Sequence, residues 1–337
     1  MKVETWRIHG GICERMASNQ TEAEFVPGWQ QHFHSTLIFL ACLIVLLNVP
    51  VIVLFIKISS LRYSAGNSFL CSLAIADILC AVVIIPSLLI CETDILPDET
   101  RQKICRFYFV SHYTISVASV YHIVAANIAK YFAIVFPMRN LTAFTKSRVF
   151  YTILVIWVTA FIAGHLPIYW PYLSFPDLVK MARIHNYFLL VFSFILPVLI
   201  LLVTHVHMFT TLFFKSRPRT QHSRTTSTST AGQSSLRENN CRIAILFFLL
   251  FAVFIISWLP WYLIGIGLVD PTDDYLISLR FMAPVLNPII FTFVKRDFRG
   301  AATTLLARLC GFGPRGHFSE LSRFTSSVRT EQSLIIG

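Results

Sequence analysis

A small set of polar side chains lies inside long apolar stretches of this sequence, where polar groups are costly and are by default candidates for function. Asp77 and Arg280 are the charged members of the set. A carboxylate in apolar surroundings must be neutralised, paired or solvated, and it can hold a cation. A buried guanidinium needs an anionic partner, which is either another residue or a ligand group. The uncharged members are Asn48, His112, Ser119, His122, Asn127, His165, His205 and Asn287.

The composition indicates that these residues lie in a membrane. Of the 337 residues, 55% are hydrophobic and only 13% are charged, whereas soluble domains carry roughly 25% charged residues. A water-soluble fold of this size would need more polar surface than the sequence supplies. No metal-ligand cluster, nucleophile–base motif or phosphate-binding loop is present in the sequence. The sequence therefore predicts a membrane protein that is not an enzyme.

Seven apolar windows are long enough to cross the hydrocarbon core of a bilayer, which requires about 20 helical residues. Each window is bounded by charges, prolines or polar clusters. We therefore predict an all-α membrane protein, with a seven-transmembrane helix bundle at residues 35–294 and a short amphipathic eighth helix. The windows, which we call segments one to seven, are 35–56, 67–90, 107–129, 150–170, 187–213, 243–266 and 276–294.

The basic residues predict on which side of the membrane each loop lies. The loops on the side of the N-terminus contain eight lysines and arginines, whereas those on the opposite side contain nineteen. Because loops rich in these residues stay cytoplasmic, we expect a multi-pass plasma-membrane protein with an extracellular N-terminus. This topology and the anionic headgroups of the lipid bilayer account for the net charge of +11. Nucleic acid is therefore not an expected partner.

Three stretches outside the segments have predicted roles. Residues 1–34 form an extracellular N-terminal segment, and residues 216–238 form a Ser/Thr-rich, disordered third intracellular loop. This loop is a solvated tether, a kinase substrate, or both. Residues 295–337 form an amphipathic helix, in which apolar residues recur at helical spacing between basic ones, followed by a cytoplasmic tail.

Covalent modifications are predicted on both sides of the membrane. Asn19 lies in an Asn-Gln-Thr glycosylation sequon on the outer side. Cys310 follows the amphipathic helix and is either a palmitoylation site or a free cysteine. Cys13, Cys91 and Cys105 lie on the oxidising outer side, where they can form one disulfide and leave one thiol. The sequence does not say which two of them pair.

An ordered set of motifs resembles the rhodopsin-like (class A) G-protein-coupled receptors and covers nearly all of residues 35–310. The prolines of the set permit kinked helices and two packings of the bundle. In chain order the motifs are NVPV with Asn48, LAIAD with Asp77 followed by Pro86, Cys105 before Lys130, Trp157, Phe194 with Pro197, FIISWLP ending at Pro260, and NPIIF starting at Asn287.

The resemblance implies an ion-binding switch around Asp77. Its implied partners are Asn48, Ser119 and Asn287, and in the family this cluster typically holds a sodium ion. Such an ion would be an allosteric modulator here, with Asp77 and Ser119 as its expected ligands, and no other cofactor is expected. The alternative is a packing cluster around a neutral Asp77 and a few waters.

The inner end of segment three departs from the family pattern. Where the family has acid-arginine-tyrosine, this sequence has Ala129, Lys130 and Tyr131, although the following AIVFPMR fits the family well. Lys130 either extends to the lipid headgroups or takes the arginine's place in the cavity where a G protein docks. Lysine lacks the planar fork of arginine. Because Phe291 also replaces the family's tyrosine in segment seven, we expect weak or atypical coupling through Lys130, Tyr131 and Phe291.

The resemblance also implies a ligand pocket in the outer half of the bundle. His112 stands where amine receptors have an aspartate, which disfavours a biogenic amine. Arg280 favours a ligand with an anionic group, and the alternative is an internal ion pair with Glu92 or Asp274. The aromatic candidates have ordinary core packing as their alternative. The candidate pocket residues are His112, Ser116, Trp258, Trp261, Tyr262 and Arg280.

These observations favour a receptor that transmits the binding of an extracellular ligand to an intracellular G protein, arrestin or both. The sequence does not identify the ligand. The altered motifs leave a second interpretation, a receptor-like decoy or scaffold that does not couple to a G protein. A transporter or channel is a third interpretation, which is disfavoured because the sequence has one mid-membrane carboxylate and no inverted repeat.

Overall fold

The computed structural model describes residues 3–9, 12–18, 28–93, 96–166, 175–214, 228–269, 274–294 and 298–303. Asn19 and Cys310 lie outside these residues, so glycosylation and palmitoylation stay predictions. Cys13 lies in a strand of which only the backbone is described.

The described part of the chain is built from α-helices α1 to α11, a 3-10 turn at Ser59–Tyr63 and a short helix at 298–303. A π-helical turn at Cys80–Ile84 joins α2 to α3, and a second one at Leu190–Ile195 joins α7 to α8. Segment two is therefore α2 with α3, segment five is α7 with α8, and segment seven is α10 with α11. The bounds are α1 Gly28–Lys57, α2 Ala65–Leu79, α3 Ile85–Cys91, α4 Asp98–Val135, α5 Pro137–Ala143, α6 Lys146–His165, α7 Phe175–Leu189, α8 Leu196–Phe214, α9 Thr228–Gly265, α10 Asp274–Leu279 and α11 Met282–Val294.

The long helices have the character of membrane-spanning elements. In lipid, backbone N–H and C=O groups must bond within their own segment, which favours a helix wherever the chain is apolar. Six described helical spans are long and apolar enough to cross a membrane, and Met282–Thr292 is a shorter apolar helix. Large apolar side chains such as Phe39, Leu46 and Val203 are exposed on the outside of the bundle. The predicted all-α, seven-helix fold is confirmed.

The N-terminal segment contains an element that the sequence analysis did not predict. Strands β1 (Val3–His9) and β2 (Ile12–Ser18) form an antiparallel hairpin in which Val3 pairs with Ser18. Gly10 and Gly11 separate the strands in the sequence, and a glycine pair is favoured in two-residue hairpin turns. The hairpin precedes α1 in the chain, and the helices that define the fold class are unchanged.

Helix α9 begins earlier than the sequence analysis predicted. It starts at Thr228, so residues 228–238 are helical rather than part of a disordered loop. Once segment six has formed a helix, each added residue contributes one further hydrogen bond without a new nucleation cost. The stretch from Thr228 to Asn240 contains no proline to stop this extension, although it contains Gly232. Residues 216–227 of the predicted loop lie outside the described residues.

The predicted amphipathic helix is described only in part. Residues 298–303 are helical, and Phe298 is fully buried against the bundle. The ring of Phe298 lies 5.6 Å from that of Phe291 on α11, measured between centroids. The helix therefore packs on the inner end of segment seven through its apolar face.

Segment seven is broken at the residue that carries its only charge in the membrane. Helix α10 ends at Leu279 and α11 begins at Met282, so Arg280 lies in the turn between them. Pro284 explains the break, because a proline ring clashes with the carbonyl group four residues before it, which here is that of Arg280. The break turns the Arg280 side chain into the bundle, where it is 1% exposed.

The π-helical turn in segment five is held by a side chain of segment three. Because the turn departs from the α-helical hydrogen-bond pattern, the carbonyl group of Phe192 is free to accept the hydroxyl of Tyr121 at 2.8 Å. We expect Tyr121→Phe to destabilise the protein by about 1 kcal/mol, which lowers the midpoint of thermal unfolding by roughly 2–4 °C. The measurement is thermal unfolding of the purified protein. Tyr151→Phe is the matched control, since Tyr151 is exposed on α6, and an equal effect of both variants would contradict the assignment.

Candidate functional site

One cavity runs through the centre of the bundle and joins the two sites that the sequence analysis treated separately. The space between its lining side chains, including the part that is open to solvent, is about 420 Å³. Predicted pocket residues line it together with predicted ion-site residues, so both groups face the same space. These residues are His112, Ser116, Trp258 and Arg280 from the pocket, and Asp77, Ser119 and Asn287 from the ion site.

Arg280 lies in a cage of aromatic side chains. Its Nη2 atom donates a hydrogen bond to the hydroxyl of Tyr108 at 2.5 Å, and its Nη1 atom lies 3.5 Å from Nε2 of His112. The guanidinium carbon lies 4.0 Å from the ring centroid of Trp261 and 4.7 Å from that of Phe281. Such contacts stabilise a cation through the negative faces of the rings. They do not neutralise its charge.

No carboxylate of the described residues forms an ion pair with Arg280, although Asp77 lines the same cavity. Its guanidinium forms no ion pair with Glu92, which is one of the two internal partners that the sequence allows, and the side chain of the other, Asp274, lies outside the described part. The Nε atom of Arg280 is buried and has no hydrogen-bond partner. A buried cation with an unused donor is costly unless an anion joins it.

The remaining pocket candidates divide into those near the cavity and those that support it. The ring of Trp258 lies 6.0 Å from that of His112, and the hydroxyl of Ser116 donates to the carbonyl of His112 at 2.5 Å. Trp261 and Tyr262 do not line the cavity in the described structure. Trp261 reaches the site through Arg280 and through the ring of His112, whose centroid lies 4.9 Å from its own. Tyr262 packs on Phe194 in the core.

Oxygen atoms are grouped around Asp77 at the inner end of the cavity. Asn287 donates from Nδ2 to Oδ2 of Asp77 at 3.3 Å, which leaves its own Oδ1 atom buried without a partner. Ser119 lines the cavity beside these two residues. A carboxylate, a hydroxyl and an amide oxygen suit a hard cation. The residues therefore fit the sodium ion that the sequence analysis predicts, and its binding stays a prediction.

Asn48 supports this site from segment one. It donates from Nδ2 to the carbonyl of Ile44 at 2.9 Å and to that of Pro284 at 3.0 Å. The second bond joins segment one to segment seven just after the break at Arg280. Asn48 does not line the cavity in the described structure, so it is a positioning residue rather than a direct ion ligand.

Tyr108 is a site residue that the sequence analysis missed. It is buried and bonds to Arg280. It precedes His112 by four residues on α4, so both side chains lie on the same face of that helix. This spacing from a predicted pocket residue was the signal that could have identified it.

A disulfide fixes the outer end of segment three. The structure pairs Cys91, the last residue of α3, with Cys105 on α4, and their Cα atoms lie 5.3 Å apart. This pairing is one of those that the sequence left open. The bond holds α4 to segment two one helical turn before Tyr108, and it therefore helps to position that hydroxyl at Arg280.

The inner end of segment three is tied to segments two and five. The alkyl chain of Lys130 packs over Gly66, because a Cβ atom at Gly66 would lie only 3.1 Å from Cε of Lys130. The hydroxyl of Tyr131 lies 2.9 Å from Nδ1 of His207, and Asn127 donates to the hydroxyl of Thr204 at 2.6 Å. Two polar contacts therefore join α4 to α8 at this end.

Apolar packing closes the inner end of the bundle where the family pattern has charged residues. Ala129, which stands at the family's acidic position, is buried in the same cluster as Phe247, Leu250 and Phe291. We call these residues, with Leu201, Leu246 and Phe298, the inner cluster. The inner cluster joins α4, α8, α9, α11 and the helix at 298–303 without a charged contact among its members.

Comparison with known proteins matches the chain to one receptor family and to several of its members. The sequence matches the family described as 7 transmembrane receptor (rhodopsin family) over residues 47–291. It is 22% identical over 286 residues to the histamine H2 receptor of Cavia porcellus, which covers 79% of this chain and 77% of the relative. It is 24% identical over 320 residues to octopamine receptor beta-2R of Chilo suppressalis, which covers 83% of this chain and 80% of the relative. Melanopsin of Homo sapiens is 24% identical over 304 residues, covering 82% and 62%.

Proposed function

Because the chain belongs to the rhodopsin family of seven-transmembrane receptors, we propose that it transmits the binding of an extracellular ligand in the central cavity to a heterotrimeric G protein, arrestin or both at its inner face. Members of this family are receptors and not enzymes. One observation carries the proposal. The cavity is continuous from Arg280 to Asp77, so an event at the outer residue can reach the inner polar cluster.

Segment seven is the element that connects the two ends of the cavity. Arg280 lies in the turn directly before α11, the helix that carries Asn287. A ligand that pulls on Arg280 therefore acts at the start of the helix that donates to Asp77. Pro260 in α9 and Pro288 in α11 weaken their helices and permit them to bend. A sodium ion at Asp77, Ser119 and Asn287 would stabilise one of the two packings and act as an allosteric modulator.

The ligand is proposed to carry an anionic group. Two of the similar receptors are named for the amines histamine and octopamine. In this chain an ammonium group in the outer part of the cavity would meet the buried guanidinium of Arg280 beside His112. Two positive charges close together repel strongly in a site of low dielectric constant. The site therefore favours a ligand with an anionic group over one with an ammonium group.

Coupling to the G protein is proposed to be weak in the native sequence, because Lys130 and Phe291 replace residues that support it in the family. We expect the double variant Lys130→Arg with Phe291→Tyr to raise ligand-free G-protein signalling about tenfold, the effect of about 1.4 kcal/mol. The arginine restores a planar fork, and the tyrosine places a hydroxyl in the inner cluster, which destabilises its closed packing.

The measurement is cAMP and calcium in cells, normalised to the receptor at the surface. Phe248→Tyr is the matched control, because Phe248 is 47% exposed next to the inner cluster. Signalling by the double variant equal to that of the native chain would contradict the proposed role of these positions.

The altered residues Ala129, Lys130 and Phe291 also favour a second function, a decoy or scaffold that binds its ligand without G-protein coupling. Measurement of cAMP, calcium and arrestin recruitment in the same cells separates the two functions. A receptor gives a response in at least one of these assays, in the native chain or in the double variant. A scaffold binds ligand and gives none.

A further inference from the structure

The N–H donors of Arg280 that make no hydrogen bond lie along one edge of its guanidinium group. A guanidinium carries five N–H donors in one plane. Trp261 and Phe281 lie within 4.0 and 4.7 Å of its central carbon, and Tyr108 and His112 use one donor each at Nη2 and Nη1. The buried Nε–H has no partner. The unused donors therefore lie along the edge of the guanidinium, and a planar group with two acceptor oxygens matches such an edge.

The hydroxyl of Tyr108 supplies a further donor at the same place. It accepts a hydrogen bond from Arg280, so its own hydrogen remains available. None of the hydrogen bonds of the described residues uses that hydrogen. Because Tyr108 is buried in an apolar cluster, this donor is costly to leave without an acceptor. An oxygen held at the edge of Arg280 is within the reach of both groups.

The cavity limits the size and charge of what can bind. The cavity is narrow and is enclosed by side chains of several segments, so it favours a compact ligand. Ile84, Ile115 and Trp258 give it apolar walls. Asp77 lies at the inner end of the same space and would repel a second negative charge.

We propose that the ligand is a compact monocarboxylate with an apolar or aromatic body, whose carboxylate is bound by the edge of Arg280 and the hydroxyl of Tyr108. This inference deepens the proposed function and rests on it only in treating the central cavity as the ligand site. The ligand's body lies between Ile84, Ile115 and Trp258 and extends toward Asp77.

The experiment measures binding without signalling. The purified receptor is heated with the sodium salts of butyrate, hexanoate, benzoate, phenylacetate and indole-3-acetate, with the primary amide of each, with succinate and glutarate, and with chloride and phosphate. At least one monocarboxylate is expected to raise the midpoint of thermal unfolding in a saturable manner. Its amide, the dicarboxylates and the inorganic anions are not expected to do so.

Two variants test whether the rise in the thermal midpoint depends on the proposed contacts. Arg280→Gln is expected to abolish the shift, and Tyr108→Phe is expected to weaken the apparent affinity about tenfold, the effect of one hydrogen bond to a charged group. Tyr113→Phe is the matched control, because Tyr113 is buried on the same helix and its ring packs against His185. If Arg280→Gln does not fold, Tyr108→Phe and its control carry the test alone.

Several results would overturn the inference. These are equal stabilisation by an acid and its amide, stabilisation by chloride or phosphate alone, an unchanged shift in Arg280→Gln or Tyr108→Phe, and no shift with any monocarboxylate. The proposed function fails by a different measurement. A monocarboxylate that stabilises the native protein through Arg280, but gives no cAMP, calcium or arrestin response, supports this site and contradicts the coupling.

Discussion

Replacing Gly164 with alanine is expected to lower the amount of folded protein at the cell surface several-fold. Gly164 lies near the end of α6, where the backbone of that helix packs tightly against α4. A Cβ atom at this position would lie 2.8 Å from the backbone N of Thr114 and 2.8 Å from the backbone O of Val110, and it would overlap the Thr114 hydroxyl. The two helices must move apart to accept it.

The cost of Gly164→Ala is large because the new Cβ atom would meet backbone atoms of α4 that cannot move easily. Two of the three neighbours are backbone atoms, and the Thr114 hydroxyl is held by a hydrogen bond to the carbonyl of Val110 at 2.9 Å. Overpacking costs about 1–3 kcal/mol and more where the backbone has to shift. A loss of 1–2 kcal/mol is already enough to change cellular abundance several-fold.

Gly265→Ala is the matched control for this prediction. Gly265 is the last residue of α9, and a Cβ atom there would meet only the Asn186 side chain, at 3.8 Å, which is an ordinary contact. Surface immunostaining and the thermal midpoint of the purified protein measure both variants. A Gly164→Ala protein with the surface level and midpoint of Gly265→Ala would contradict the close helix crossing.

The membrane itself explains why the fold could be predicted from the sequence. Lipid offers no hydrogen bonds to the backbone, so an apolar window of sufficient length has essentially one stable form, the helix. This constraint does not reach the ends of the helices. The extension of α9 back to Thr228 and the break at Arg280 depend on local features, namely a stretch free of proline and the ring of Pro284.

The charged residues of the candidate site could be predicted from the sequence, but the contacts between its residues could not. Asp77 and Arg280 stood out because a charge in an apolar window is rare and costly. A tyrosine in such a window is common, so nothing in the composition marked Tyr108 before its hydroxyl was seen at Arg280. The disulfide between Cys91 and Cys105 was one of several allowed pairs, and only the arrangement of α3 beside α4 decides it.

The inner end of the bundle shows how a missing motif can be replaced by packing. The sequence lacks the acidic residue before Lys130, and from that loss alone one expects an unrestrained helix three. The structure instead buries Ala129 in the inner cluster, where α9 packs through Phe247 and Leu250. A small apolar residue at this position allows the close packing that an acidic residue would prevent.

Replacing Phe247 with alanine is therefore expected to raise ligand-free signalling at least tenfold. Phe247 is 1% exposed in the inner cluster, whereas its neighbour Phe248 is 47% exposed. Truncating a buried phenylalanine costs about 3–5 kcal/mol, and that cost falls on the closed packing because an open inner face leaves the side chain with fewer contacts. A difference of only about 1.4 kcal/mol between the two packings shifts their ratio tenfold.

The comparison between neighbouring phenylalanines makes this result decisive. Phe248→Ala removes the same side chain from the same helix without opening the inner cluster, so its ligand-free signalling should stay at the native level. Both variants are measured by cAMP and calcium without ligand and are normalised to surface receptor, which separates a change in packing from a loss of folded protein. Equal signalling by both variants at equal surface levels would mean that something other than the inner cluster holds the inner face closed.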